Sequence, residues 1–297
     1  MDVISTHRLT RFYGKRIGIR EVDLHVPEGC LFGFLGPNGA GKTTTIRILM
    51  GFLRASSGEA RIFGRDCHRE SRRIKEDVGY IPGDLRLYPW LTGHLLLDLA
   101  GKIRRRSLEA PGRELAEELE LDLDLKASSM SRGTRQKLGL LLALVHRPRL
   151  VILDEPTSGL DPLMQKVLAR RLRMLADAGH TVLFSSHSLA EVEQLCHRVA
   201  IVRDGGLVAD ESLESLRKRA RRRVDLVFDS GAAASIDPPS LLDVVERNGT
   251  RWTCNLTGEI HELLSWAAAQ PLADIAIRPP DLETLFYRYY GEERSGP

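Results

Sequence analysis

The chain has 297 residues, 42% hydrophobic and 28% charged, with a net charge of +3. That is the make-up of an ordinary globular protein with room for a main domain and a smaller one, and the charge is too small to imply nucleic acid by itself. No apolar run reaches the ~18–20 residues of a membrane span, and the amino terminus lacks the charged-then-apolar layout of a secretory signal, so the expected location is cytoplasmic, with docking on a membrane protein left open.

Two strands are expected over residues 3–9 and 17–26, with Phe12-Tyr13-Gly14-Lys15 as the turn between them. The alternation of Val22, Leu24 and Val26 marks the second as half-buried. Pro27-Glu28-Gly29 then turns the chain into the apolar run Leu31–Leu35, expected as a buried strand. Gly36-Pro37-Asn38-Gly39-Ala40-Gly41 follows it and leads into Lys42-Thr43-Thr44. This is the GxxxxGK[ST] pattern in its required context, after a strand and before a helix. Its glycines let backbone N–H groups curl around an anion without Cβ clashes. The helix starting near Gly41 points its positive end at that anion. Lys42 has the reach for β- and γ-phosphates, and Thr43 offers a hydroxyl to Mg²⁺.

The helix is expected over residues 43–53, with Ile46, Leu49 and Met50 on one face and Ser56-Ser57-Gly58 as its stop. A short strand at 60–63, a short helix at 71–76 and a strand at 78–81 come next, ending at Pro82-Gly83. The pattern then turns helical. Thr92 is the expected N-cap of a helix carrying Leu95, Leu96, Leu99 and Ile103. A second helix is expected over 113–121, and a third from Ser131 to Pro148. Residues 85–147 therefore read as a helical insert in an α/β domain. Residues 150–153 form a fully apolar strand, and Asp161-Pro162 is an N-cap with proline at the first helical position. Strands at 181–184 and 199–202 enclose a helix at 189–195. This alternation predicts a parallel sheet covered on both faces. After residue 215 the character changes. A basic run through Arg223 precedes strands at 224–228 and 252–256 and helices at 260–269 and 281–290. Residues 216–297 are read as a small separate α+β domain.

Asp154 and Glu155 stand at the carboxyl end of the apolar strand, the edge where open parallel sheets bind ligands. An aspartate there suits Mg²⁺, usually through water, and a glutamate beside it suits proton removal from an attacking water. Cys30, Cys67, Cys196 and Cys254 form no CxxC, which gives no zinc site or disulfide framework. His94, His146 and His197 have no ligand-like grouping and are assigned no role. Arg104-Arg105-Arg106 and the later basic run read either as surfaces for anionic lipid or as solvated helix faces. Phe286, Tyr287, Tyr289 and Tyr290 read as a helix packing on the tail domain.

Residues 1–215 resemble the ATP-binding subunit of an ABC transporter. Gly36 to Thr44 looks like its Walker A motif, and Leu150 to Pro156 like its Walker B. Ser158-Gly159-Leu160-Asp161 is similar to the D-loop, and Ser186-His187 to the switch histidine. Tyr13 matches the aromatic that stacks on adenine. Ser131, Arg132 and Gly133 stand in the signature, with Arg132 replacing a glycine and Thr134 a glutamine. Arg132 either contacts a γ-phosphate or is solvated. Position 83 is glycine where the Q-loop glutamine is usual, and Asp84 is either a substitute Mg²⁺ ligand or an outward-facing turn residue.

The resemblance implies an α/β P-loop NTPase domain with an N-terminal antiparallel β part and a helical insert. It implies ATP and Mg²⁺ as ligands, the metal held by Thr43 and Asp154. Glu155 would be the base, Lys42 and His187 would hold the phosphates, and Asp161 would couple two sites. The implied partners are a second copy, paired head-to-tail around ATP, and integral-membrane permease subunits, with no nucleic acid. The implied location is peripheral, on the cytoplasmic face of the cell membrane. The chain's ending resembles those of exporter ATPases of the drug, antibiotic and polysaccharide group. The rival reading is a soluble ABC-type ATPase acting on ribosomes or DNA. An adjacent reading frame encoding about six apolar spans would separate the two. The cargo is not written in this chain.

Overall fold

The computed structural model describes residues 2–219, 221–229 and 236–280. β1 (Asp2–Tyr13) pairs antiparallel with β2 (Arg16–Val22) and with β3 (His25–Pro27). The single strand expected over 17–26 is therefore two. Thr6 on β1 is the reason: its hydroxyl donates to Val22 O at 2.7 Å and accepts from Leu24 N at 2.8 Å. A side chain thus fills the gap in the ladder where the chain bends. Phe12 and Tyr13 lie in β1 rather than in the turn, which is reduced to Gly14-Lys15.

β4 (Leu31–Leu35) is buried at every position. It leads into α1 (Lys42–Leu49), which ends four residues earlier than expected. Gly51 adopts φ +67, and Phe52 N donates back to Arg47 O, the left-handed closure that stops a helix. β5 (Ser57–Ile62) pairs with β1, and β6 (Arg65–Asp66) with β5. The first sheet runs β2-β1-β5-β6, with β3 also on β1.

α2 (Ser71–Glu76) and β7 (Val78–Ile81) precede a block of three α-helices, α3 (Gly93–Arg104), α4 (Glu109–Glu118) and α5 (Arg132–Leu144). Thr92 caps α3, accepting from Leu95 N. The buried face of α3 is not the leucine face. Leu95, Leu99 and Ile103 are exposed, while Gly93, Leu97 and Gly101 are buried. A Cβ on Gly93 would lie 2.5 Å from Leu123 Cδ2, so the small residues permit the closest approach and take the packed side. α4 starts four residues before the expected position, with Pro111 accommodated in its first turn. Arg104 donates to Glu76 O at 2.9 Å, and Arg106 donates to His146 O. These two arginines are thus committed to backbone carbonyls, not to lipid or to solvent alone.

β8 (Leu150–Asp154), α6 (Pro162–Asp177), β9 (Thr181–Ser186), α7 (Leu189–Leu195) and β10 (Arg198–Arg203) complete the alternating part. β11 (Gly206–Ser212), absent from the sequence reading, returns antiparallel to β10 after Asp204-Gly205. The second sheet runs β11-β10-β4-β9-β8-β7 and is parallel apart from β11. Phe32 and Phe34 of β4, Ile46 of α1 and Ile152 of β8 share one apolar core with Leu9 and Ile19 of the first sheet. That core fixes the end of β4, which lies between β9 and β10, one strand away from the end of β8. Among the described residues no helix is long and apolar enough to cross a membrane.

The chain divides into two compact units, Met1–Leu213 and Glu214–Pro297. Following α8 (Leu213–Arg219), the second unit contains β12 (Arg222–Phe228), β13 (Leu242–Asn248), β14 (Arg251–Leu256), α9 (Ile260–Ala268) and β15 (Leu272–Pro280). Its antiparallel sheet runs β13-β14-β12-β15. Phe228 and Trp252 pack with ring centroids 4.7 Å apart, beside Leu226 and Leu263. In the basic run, Arg221 pairs with Asp243 at 3.0 Å and Arg223 with Asp225 at 3.7 Å. β13 and β15 were not expected from sequence. The expected helix at 281–290 and its four aromatics lie outside the described residues.

Candidate active site

The loop after β4 sits between β10 and the first sheet. Gly41 takes φ +108, and a Cβ there would lie 2.6 Å from Ile19 Cγ2 and 2.9 Å from Gly18 O. Only glycine fits both that conformation and that approach. Lys42 opens α1 and is 4% exposed. Its Nζ donates to Gly36 O at 2.6 Å and to Pro37 O at 3.3 Å. Ala40 is buried and its carbonyl accepts from Gly205 N, which pins the loop to the β10–β11 turn.

A cavity of about 310 Å³ lies beside this loop. The first sheet contributes Tyr13, Arg16, Ile17 and Gly18; the loop and α1 contribute Asn38, Gly39, Gly41, Lys42, Thr43 and Thr44; Glu155 completes the lining. The aromatic and the phosphate-type loop, far apart in sequence, thus share one wall. Gly18 sets the Tyr13 ring: a Cβ there would be 2.7 Å from Tyr13 Cε2.

Asp154 ends β8 and is 1% exposed. Its Oδ1 accepts from Ser185 Oγ at 2.8 Å, whereas Oδ2 is buried without a hydrogen-bond partner among the described residues. Burial, and next the charge of Asp154, push the Tyr80 phenol up to about 12. A buried carboxylate oxygen without a partner is costly. A hydrated divalent cation is the natural complement, and the hard oxygens of Asp154 and Thr43 suit Mg²⁺. A Cβ on Gly83 would lie 3.5 Å from Asp154 Oδ2, so this turn passes directly over the carboxylate. Asp84 does not turn toward it. Its side chain is 70% exposed and pairs with Arg86 at 2.8 Å.

Glu155 adopts φ +50, a region L-residues seldom occupy. Its N–H donates to Ser185 Oγ at 3.1 Å and to Ser185 O at 3.3 Å. Its carboxylate stands between two cations or cation precursors, with Lys42 Nζ 3.3 Å from Oε1 and His187 Nδ1 3.4 Å from Oε2.

Ser131 caps α5, its Oγ accepting from Thr134 N at 3.0 Å. Gly133 abuts Gly159, whose carbonyl would lie 2.6 Å from a Cβ at 133. Arg132 Nη2 donates to Ser158 Oγ at 2.5 Å. Asp161 caps α6 through Met164 N and Leu163 N, and those hydrogen bonds, Met164's foremost, hold its carboxyl below the usual range. None of Ser131, Arg132, Gly133 and Asp161 lines the Tyr13 cavity.

The ABC transporter family model matches residues 19–158. The bacitracin transport ATP-binding protein BcrA of Bacillus licheniformis is 37% identical over 226 residues, covering 75% of this chain and 74% of the relative. The Nod factor export ATP-binding protein I of Paraburkholderia xenovorans is 33% identical over 302 residues, covering 98% and 97%. The chain belongs to the ABC transporter family. It is an ATP-binding subunit that hydrolyses ATP. A solved ATP-binding subunit of an ABC transporter superposes with a TM-score of 0.69 at 29% identity, over 73% of this chain and 92% of that one. The dimeric cassette MJ0796 has a TM-score of 0.63 at 23% identity, covering 71% and 98%, which shows the shared fold.

Within this ABC subunit the sequence reading missed four contributors. Ser185 orients both Asp154 and Glu155. Gly18 and Arg16 shape the aromatic end of the cavity. Gln136 donates to Pro156 O at 2.9 Å, joining α5 to the chain just after Glu155. Arg16 is directly opposite Tyr13 in the hairpin register, and that pairing was the available signal.

Proposed function

We propose that this ATPase subunit powers a membrane exporter by closing head-to-tail on a second copy with ATP between them. The relative named for Nod factor export supports the direction. The observation that carries the pairing is the position of Ser131, Arg132 and Gly133. They occupy the N-terminus of a 13-residue helix, an anion-attracting end, yet stand outside the chain's own cavity. A second chain's phosphates would use that end.

In this reading Tyr13 stacks on adenine, and the backbone from Gly36 through Pro37, Asn38, Gly39, Ala40, Gly41, Lys42 and Thr43 to Thr44 wraps the phosphates. Lys42 exchanges its loop carbonyls and Glu155 for phosphate oxygens. Freed from Lys42, the Glu155 carboxylate accepts a proton from water as that water's oxygen bonds to the γ-phosphorus. The bond to the bridging oxygen breaks, leaving ADP and inorganic phosphate. His187 holds the γ-phosphate and the attacking water. Thr43 and Asp154 would hold Mg²⁺, which when bound neutralises phosphate charge. Ser131, Arg132 and Gly133 face the partner's nucleotide, and Asp161 links the two sites.

The helical insert would meet the permease. Its exposed Leu95, Leu99 and Ile103, with the stacked Tyr88 and Trp90 at 4.8 Å, support that assignment. The subunit would then sit on the cytoplasmic face of the membrane, with residues 216–297 as an accessory domain.

Glu155→Gln tests the core of the reading. Hydrolysis is expected to fall roughly 10²-fold or more, the usual scale for losing a general base. Size-exclusion chromatography with ATP is expected to show a dimer that disperses when ATP is removed. Undiminished turnover in Glu155→Gln would overturn the base assignment, and a monomer under all conditions would overturn the pairing.

A further inference from the structure

We infer that Arg132 is a positioning residue: it ties the N-terminus of α5 to the loop that carries Glu155, so that whatever engages that helix end is felt at this chain's own base. The tether is a chain of contacts. Arg132 Nη2 donates to Ser158 Oγ at 2.5 Å, and Ser158 N donates to Glu155 O at 3.2 Å. The aliphatic part of Arg132 also covers Gly159, where a Cβ would lie 3.2 Å from Arg132 Cγ. One helical turn further on, Gln136, 6% exposed, holds Pro156 O. Gly133 closes the same face, with no room for a side chain against the Gly159 carbonyl. The loop at 156, 158 and 159 is therefore gripped by three residues of α5.

What the grip holds is a strained backbone. Glu155 keeps φ +50 only while its surroundings over-determine it. Ser185 fixes its N–H side. Ser158 fixes its carbonyl side, and Arg132 is the side chain that fixes Ser158. Gln136 and Gly133 hold the loop's position. Arg132 alone combines a charge-assisted hydrogen bond with a place on the exposed first turn of α5, where an incoming anion would compete for it. A planar guanidinium can keep Ser158 with one nitrogen and offer others outward. With its guanidinium engaged on Ser158, Arg132 is not simply solvated. Transmission from a partner's nucleotide rests on the proposed head-to-tail pairing. The tether itself does not.

Hydrogen exchange by mass spectrometry on the nucleotide-free, full-length chain tests the tether separately from the pairing. Arg132→Ala is expected to speed exchange in a peptide spanning 156–160 roughly 10-fold, the scale of losing one charged hydrogen bond. Arg132→Lys should restore part of the protection. Ser158→Ala should match Arg132→Ala, and the double variant should add nothing further. In steady-state hydrolysis, Arg132→Ala should lower kcat while changing KM for ATP much less, because the base is misplaced and the nucleotide pocket is not. Lysine should recover part of kcat. Unchanged exchange with Ser158→Ala silent would overturn the tether. A rise in KM with intact kcat would place Arg132 on phosphate instead. If no ATP-driven dimer forms but exchange behaves as stated, the tether stands and the pairing falls.

Discussion

Lys42 Nζ lies 3.3 Å from Glu155 Oε1, and the same ammonium donates to two carbonyls of its own loop. Glu155 in turn reaches His187 through its other oxygen. Lys42 and Glu155 therefore pair with each other inside the chain. Arriving phosphates compete for Lys42, and their binding and the release of Glu155 become a single exchange.

Lys42→Ala should cost far more in binding than in folding. The variant removes the ammonium from the phosphates, and a charge-assisted hydrogen bond contributes about 1.5–3 kcal/mol. ATP affinity by titration calorimetry is expected to drop at least roughly 10-fold. Wild-type affinity in Lys42→Ala would count against the whole placement of ATP.

The aromatic end can be tested from two sides. Tyr13→Ala is expected to weaken nucleotide binding by about 1–3 kcal/mol, by analogy with base–aromatic stacking, and Tyr13→Trp is not. Gly18→Ala should reproduce part of the loss with Tyr13 intact. Its new methyl would sit 2.7 Å from the ring and 3.2 Å from Arg11 O, so the ring must move. Binding of a fluorescent adenine nucleotide reads all three. Full affinity in both alanine variants would put the adenine elsewhere.

His146 gives the fold a pH dependence. It is 5% exposed, and its Nε2 lies 3.3 Å from Val78 O. Burial, then the charge of Arg104, pushes its pKa down from 6.5 to about 4. The unfolded chain protonates this group near 6.5, the folded chain only near 4. Between those values the unfolded state holds more protons, so stability is fully present above pH 6.5 and declines as the pH falls toward 4. The slope from one such group is at most about 1.4 kcal/mol per pH unit. Urea midpoints at pH 7 and pH 5 should differ less in His146→Gln than in wild type. Equal differences in the two proteins would remove His146 as the cause.

Much of this subunit is legible locally. The apolar runs that became β4 and β8 are contiguous, and a strand buried on both faces needs no distant information to be recognised. The turn from Gly36 to Gly41, the caps Thr92, Ser131 and Asp161 and the pair Asp154-Glu155 depend on neighbours within a few residues. Such chemistry is encoded in short stretches, so reading the chain in order recovers it. The tertiary structure decided which faces and which partners those elements took. Periodicity marked Leu95, Leu99 and Ile103 as one face of α3, but close packing selected the face of Gly93 and Gly101. Only folding brought Lys42 to Glu155, Tyr13 to the phosphate-type loop, Ser185 to Asp154 and Arg132 to Ser158. Those pairings join residues from different elements. Hydrophobic burial places the elements, and a side chain's partners follow from where its backbone has been carried, which spacing along the chain does not encode.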